Sequence, residues 1–236
     1  LAALIKSTAE IESVERIRYS TSYPAEITDD LIAAHRDIEK LMPNLHLPAQ
    51  SGSDKILKSM NRGHTGGQYR SLVEKIITAR PDISLSSDFI IGFPGETDAD
   101  FEDTYNLVRD IGFVQTYSFK FSARPGTPAA AMDGQVEDHV MTERLDRLQA
   151  LLAENTLRFN ATFVGKTLPV LFERLGKNFG QIVGRSPHMQ PVTVEVSVDK
   201  ISEIMHQIAN VEIKQSGAGS LVGVLADANN KERFCA

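Results

Sequence analysis

Short apolar runs and amphipathic stretches alternate along the first two-thirds of the sequence, and each run ends in a loop rich in Gly, Pro or Ser. "VERIRYS" (14–20) reads as a strand. "TDDLIAAHRDIEKLM" reads as a helix capped by Thr28, with Leu31, Ile32, Ile38 and Leu41 as its apolar positions. "NLHLPAQ" is a second short strand. "GGQYRSLVEKIITAR" is a helix with Leu72, Val73, Ile76 and Ile77 on one face, stopped by Pro81. "ISLSSDFIIGF" is a third strand, apolar at its end as a strand buried on both faces would be. "TDADFEDTYNLVRDIG" is a helix with Thr97 and Asp100 at capping-box spacing and Gly112 as its stop. "VQTYSFKFSARPG" is a fourth strand. Such repeats imply parallel strands joined by right-handed crossovers. The loops "TSYP", "PAQSGS", "GFPGET" and "SARPGT" then share one face, where barrels of this kind place their active sites.

Four strands do not close a barrel. The first residue is Leu1 rather than Met, so the sequence is expected to be a fragment whose missing strands precede it. An open sheet of this kind would expose an edge and its inner face, and is expected to aggregate or to need a partner.

A long amphipathic helix is expected from about Glu137 to Ala161, with Val140, Leu145, Leu148, Leu151, Leu152 and Phe159 as its apolar positions. After it the texture changes. "TLPVLFERL", "GQIVGRS", "PVTVEVSV", "NVEIKQ" and "SLVGVLA" are short alternating runs, which predict a small antiparallel β-barrel of five strands. "DKISEIMHQI" reads as a connecting loop or short helix. The fold class is thus α/β, a partial parallel barrel in residues 1–163 followed by a small β-barrel in residues 164–236.

Hydrophobic content of 42% is enough for a real core, and no apolar run approaches the roughly 20 residues that would span a bilayer. No signal peptide is visible, and a cytoplasmic location without membrane contact is expected. The one cysteine, Cys235, excludes a disulfide framework and any multi-cysteine metal or cluster site built from this chain alone. The six histidines show no metal-ligand spacing and read as surface or packed residues, so no metal ligand is expected. Net charge is −6: residues 1–163 carry 17 basic and 24 acidic groups, and residues 164–236 carry 8 and 7, giving −7 and +1. Neither part has the basic surface of a general nucleic-acid binder, so RNA would have to be held by local patches.

"HLPAQSGSDKILKSMNRGHT", "SSDFIIGFPGETDADFEDT" and "FSARPGTPAAAM" together resemble the radical S-adenosylmethionine methylthiotransferases. "FVGKTLPVLFE" and "GQIVGRSP" resemble the TRAM RNA-binding domain that ends those enzymes. Within the family, "IRYSTSYPAEITDDLIAA" and "GRSPHMQPVTVE" point to the enzymes that add a methylthio group to isopentenyl-adenosine next to the tRNA anticodon. The resemblance implies S-adenosylmethionine and two [4Fe–4S] clusters as cofactors. It also implies the tRNA anticodon stem-loop and a cluster reductant as partners, and a monomeric full-length protein. The clusters need six cysteines that this chain lacks, and Cys235 lies in the wrong domain, so no catalytic residue is expected here and the chain alone is expected to be inactive.

For S-adenosylmethionine the candidate residues are Gln50, Arg62, Asp88, Gly92 and Gly95. Gln50 suits ribose hydroxyls or bonds within "SGS". Arg62 could clamp a carboxylate or be a solvated surface arginine. Asp88 could meet the nucleoside or bond to backbone amides. The two glycines admit close backbone approach. Glu96 could instead serve the dipole of the next helix, and Ser51 and Ser53 read as turn and cap residues. Arg124, with Thr127, could position substrate or fix its loop. Lys166, Arg174 and Arg185, with Lys177, are candidate phosphate contacts in the barrel. Tyr117, Phe119 and Phe121 read as core and barrel lining. Phe172 and Phe179 could stack on bases, with Phe172 the better core residue. The alternatives are a methylthiotransferase acting on a ribosomal-protein aspartate, a cluster-free RNA-binding module, and an unrelated acid–base barrel enzyme for which only Asp88 and Glu96 would be available.

Overall fold

The computed structural model describes residues 1–20 and 23–226. Thr21 and Ser22 of the first loop, and Cys235, lie outside them. The chain divides into two compact units, Leu1–Asn155 and Thr156–Ala236.

In the first unit the elements run α1 (Ala2–Ala9), α2 (Asp29–Asp37), β1 (Asn44–His46), α3 (Asp54–Ser59), α4 (Gly66–Ala79), β2 (Ser84–Ser86), β3 (Asp88–Ile91), α5 (Asp98–Ile111), β4 (Tyr117–Lys120) and α6 (Asp138–Ala161), whose last turns enter the second unit. β1 pairs with β2 and β3 with β4, both parallel. A parallel bridge between Gln50 and Phe89 joins the two ladders, and another between Ile17 and Leu41 adds the first segment. The four parallel segments expected from the sequence are therefore present. The first shrinks to a single bridge made by two backbone bonds, Ile17 N to Lys40 O and Met42 N to Ile17 O. The helix after it is shorter than its apolar spacing predicts. It stops at Asp37 because Leu41 is drawn into that bridge and into a small core with Ile5, Ile17 and Leu31.

Local chemistry sets the helix ends. Thr28 and Thr97 cap α2 and α5, Asp100 completes the capping box of α5, and Gly112 ends it in left-handed backbone. Strand alternation sends Leu45, Leu85, Phe89 and Ile91 to one side. There they pack against Tyr69, Val73 and Ile76 of α4, Phe101, Leu107 and Val108 of α5, and Leu148, Leu151 and Leu152 of α6.

The second unit holds β5 (Thr167–Leu175), β6 (Gln181–Arg185), β7 (Pro191–Glu195), α7 (Val198–Ile204), β8 (Ile208–Ser216) and β9 (Leu221–Leu225). The strands close into a barrel in the order β5-β6-β7-β9-β8. All five expected strands are present. One pairing, β7 with β9, is parallel rather than antiparallel. Val170, Phe172, Ile182, Val192, Val194, Val211, Ile213 and Leu221 are fully buried inside. Phe172 is a core residue, and Phe172→Ala is expected to destabilise the protein by about 3–5 kcal/mol, measured by chemical denaturation.

Candidate functional site

Successive strand residues face opposite sides of a sheet. With Phe89 and Ile91 against the helices, Asp88 and Ile90 take the other face, beside their register partners Tyr117 and Phe119. His46 and its partner Ser86 share that face. His46 Nδ1 lies 3.0 Å from Ser86 Oγ, and His46 Nε2 lies 3.3 Å from Asp88 Oδ2. Asp88 is the first residue of β3 rather than a late one, and its half-buried carboxylate, which would be costly alone, lies against His46. Tyr117 and Phe119 are 63% and 55% exposed, and their rings lie nearly parallel, at 8°. They are surface of this unit rather than core. Phe121 packs edge-on against Phe93. His46 is the member of this face that reading the sequence as surface or packed missed. The signal for it was its place on the strand before Gln50, one register step from the strand of Asp88.

Gln50 ends this segment in left-handed backbone, at φ 70°. Its N–H donates to the Asp88 carbonyl at 2.9 Å, and its own carbonyl accepts from Ile90 N–H at 3.0 Å. Such a conformation in a non-glycine residue costs on the order of 1–3 kcal/mol and persists only where the surroundings impose it. The Gln50 side-chain amide makes no hydrogen bond among the described residues. Arg62 is half-buried and has no carboxylate partner among them. Beside it His64 is packed between Tyr23 and Tyr69. Burial pushes the His64 imidazole down; the Ala49 carbonyl acts on its charge, but neither ring nitrogen makes a hydrogen bond of good geometry among the described residues. Ser53 caps α3, and Ser51 bonds to Thr104, so both serve turn and cap.

The turn after β3 is built around two acids. Glu96 does not face the next helix. Its carboxylate is fully buried, with Oε1 accepting from Arg144 Nη1 at 2.8 Å and from Gly92 N–H at 3.0 Å. Arg144 extends its other nitrogen to Asp98 at 2.6 Å. Burial pushes the Glu96 carboxyl up, and the Gly92 N–H and Arg144 offset this only in part. Gly92 and Gly95, both at positive φ, are explained by the turn itself. A Cβ on Gly92 would lie 2.2 Å from Met141 Cγ. Gly95 donates its N–H to Gly134 and accepts Lys55 Nζ on its carbonyl. Asp100 ties the turn to the loop after Gln50. It accepts from Ser53 Oγ at 2.6 Å, Lys55 Nζ at 2.8 Å, Thr97 Oγ1 at 2.6 Å and Thr97 N–H at 2.9 Å.

Arg124 is exposed and has no carboxylate partner among the described residues, and its carbonyl accepts both donors of Thr127, so Thr127 holds the loop. In the second unit Lys166 lies over the Phe163 ring, 5.5 Å from its centroid. Arg185 is engaged by Glu173 at 3.7 Å and by the Met189 carbonyl. Arg174 makes no ion pair among the described residues, bonding only to the Leu175 carbonyl.

Burial alone would raise the Asp100 carboxyl, but the hydrogen bonds from Lys55, Ser53 and Thr97 hold it well below the usual carboxylate range. A depressed folded-state value means stability that is present above the ordinary carboxylate range and lost as pH falls through it. The protein is therefore expected to lose stability below about pH 4, and Asp100→Asn to flatten that loss while lowering stability at neutral pH. Urea denaturation across that range measures both.

Residues 1–108 match the Radical SAM superfamily, and residues 161–226 match the TRAM domain. Among solved structures, coproporphyrinogen III oxidase (HemN) from Escherichia coli, described as a radical SAM enzyme, is similar at 14% sequence identity with a TM-score of 0.47. The match covers 79% of this chain and 49% of that one. The chain thus spans about half the length of that enzyme. The parallel α/β segments up to α5 fall within the radical SAM match, and the closed five-stranded barrel falls within the TRAM match.

Proposed function

We propose that the chain is the C-terminal part of a tRNA methylthiotransferase, with residues 1–163 as part of the radical SAM barrel and residues 164–236 as the RNA-binding domain. The substrate would be isopentenyl-adenosine next to the anticodon. The observation that carries this reading is the union of a radical SAM domain and a TRAM domain in one chain.

S-adenosylmethionine supplies the deoxyadenosyl group of the chemistry when bound. A free amide on strained backbone at Gln50, the Arg62 guanidinium without a carboxylate partner, and the half-buried Asp88 carboxylate fit a ligand with ribose hydroxyls and an amino-acid carboxylate. Gln50 and Asp88 would orient the nucleoside and Arg62 the carboxylate. Gly92 and Gly95 would shape the turn beside them. His46 would hold Asp88 in place. Arg124 would face substrate from the loop after β4.

An iron–sulfur cluster does not fit the described residues. Thiolates are what such clusters need. The only cysteine is Cys235, and no group of three or more His, Cys, Asp or Glu among the described residues could hold a metal. No step through a cluster is assigned to them. That observation favours, as a second reading, a module that holds RNA without radical chemistry.

Two measurements test the proposal. Deleting the gene that encodes this chain is expected to remove 2-methylthio-isopentenyl-adenosine from tRNA and leave isopentenyl-adenosine, read by nucleoside mass spectrometry. Unchanged tRNA with a mass change on a ribosomal protein would instead select the protein-modifying sister activity. The purified 236-residue chain, supplied with iron, sulfide and a reductant, is expected not to cleave S-adenosylmethionine; cleavage would overturn the assignment of the cluster ligands outside it.

A further inference from the structure

The outer end of β5 departs from the pattern that closes the barrel. From Thr167 to Phe172 the residues alternate outward and inward, and Val170 and Phe172 are fully buried. A bulge between Phe172 and Arg174 then breaks the register with β6. Glu173, Arg174 and Leu175 follow as three exposed residues in a row, while Arg174 and Leu175 stay paired with Val183 and Ile182 of β6. The turn beyond is also well held. Gly176 N–H donates to the Gln181 carbonyl at 2.7 Å, Asn178 N–H donates to Gln181 Oε1 at 3.3 Å, and Val196 N–H donates to the Gly180 carbonyl at 2.8 Å. At its tip Phe179 is 92% exposed. Leu175, at the base of the turn, is 59% exposed.

The charges around the tip are uneven. Arg174 and Lys177 have no carboxylate partner among the described residues. The nearby acids are occupied: Glu173 lies 3.7 Å from Arg185, and Glu195 accepts from Gln181 Nε2 at 3.1 Å. A bare aromatic ring at the tip of a held turn, with two uncompensated cations just before it in the same hairpin, matches an unpaired base and its adjoining phosphates. Base stacking on an aromatic side chain is sequence-tolerant because every base has a π-face. A protein partner would use the ring and Leu175 but would leave the cations to find acids of their own.

We propose that the β5–β6 hairpin tip is a single-stranded RNA contact in which Phe179 stacks on an unpaired base while Arg174 and Lys177 hold the adjoining phosphates. This rests on the reading of the second unit as RNA-binding and says where on it the RNA sits. Phe172, by contrast, has no part in RNA contact, being enclosed in the barrel.

The test uses the whole chain and a fluorescently labelled anticodon stem-loop RNA, with binding followed by anisotropy over a range of salt. Phe179→Ala is expected to weaken binding about tenfold without changing the salt slope, and Phe179→Tyr to preserve affinity. Lys177→Ala is expected to reduce the salt slope by about one. Thermal melting of all three should match the parent, because these side chains are exposed. RNA binding that both alanine variants leave intact would overturn the hairpin assignment while the RNA-binding reading stands. No binding by the parent at low salt would overturn both. An oligomer that Phe179→Ala dissolves, with RNA affinity unmoved, would make the tip a protein contact and overturn the proposal.

Discussion

Burying the Glu96 carboxylate is the constraint around which the loop face of the first unit is arranged. A charge taken out of water needs a partner of good geometry, and removing one member of such a pair costs about 3–5 kcal/mol. Arg144 supplies that partner from the long helix, and the Gly92 N–H adds a second bond to the same oxygen. The turn between β3 and α5 can then take only one path, with Gly92 pressed on Met141 and Gly95 bonded to Gly134. Asp100, four residues on, fastens the neighbouring loop through Ser53 and Lys55. The ends of β1 and β3 are thereby held in register, and with them Gln50, His46 and Asp88.

Much of this was legible where the determinants are local. Thr28, Thr97 and Gly112 mark helix ends through bonds within a few residues, and they fall where the sequence places them. The five short strands of the barrel were legible because alternation is a two-residue pattern. The inward turn of Glu96 was not, since its partner lies 48 residues downstream. An acid just ahead of a helix has the same local signature whether it serves the dipole or a buried arginine. His46 was missed for a related reason: its neighbour Asp88 becomes one only through strand register. Tyr117 and Phe119 read as core because alternating aromatics say that a strand has two different faces without saying which is covered.

The second unit divides its aromatic residues sharply by environment. Phe159 and Phe163 close around His188, Phe172 fills the barrel, and Phe179 stands in solvent. A buried polar chain supports the first group: Asn160 bonds to the Gly217 carbonyl, Gln190 to Asn160, and Ser186 to Gln190. Fully satisfied, such a network specifies one packing arrangement as well as adding stability.

The parallel pairing of β7 with β9 also has a kinetic side. β6 can zip onto β5, and β7 onto β6, through hairpins of short separation. The edge of β7 must then wait for Leu221–Leu225, because β8 docks on β5 and β9 instead. Closure is therefore a late, non-local event, of the kind that slows folding through the entropy of loop closure. Until β9 leaves the ribosome, Val192 and Val194 border an open strand edge, and the nascent barrel is most vulnerable to mispairing in that interval.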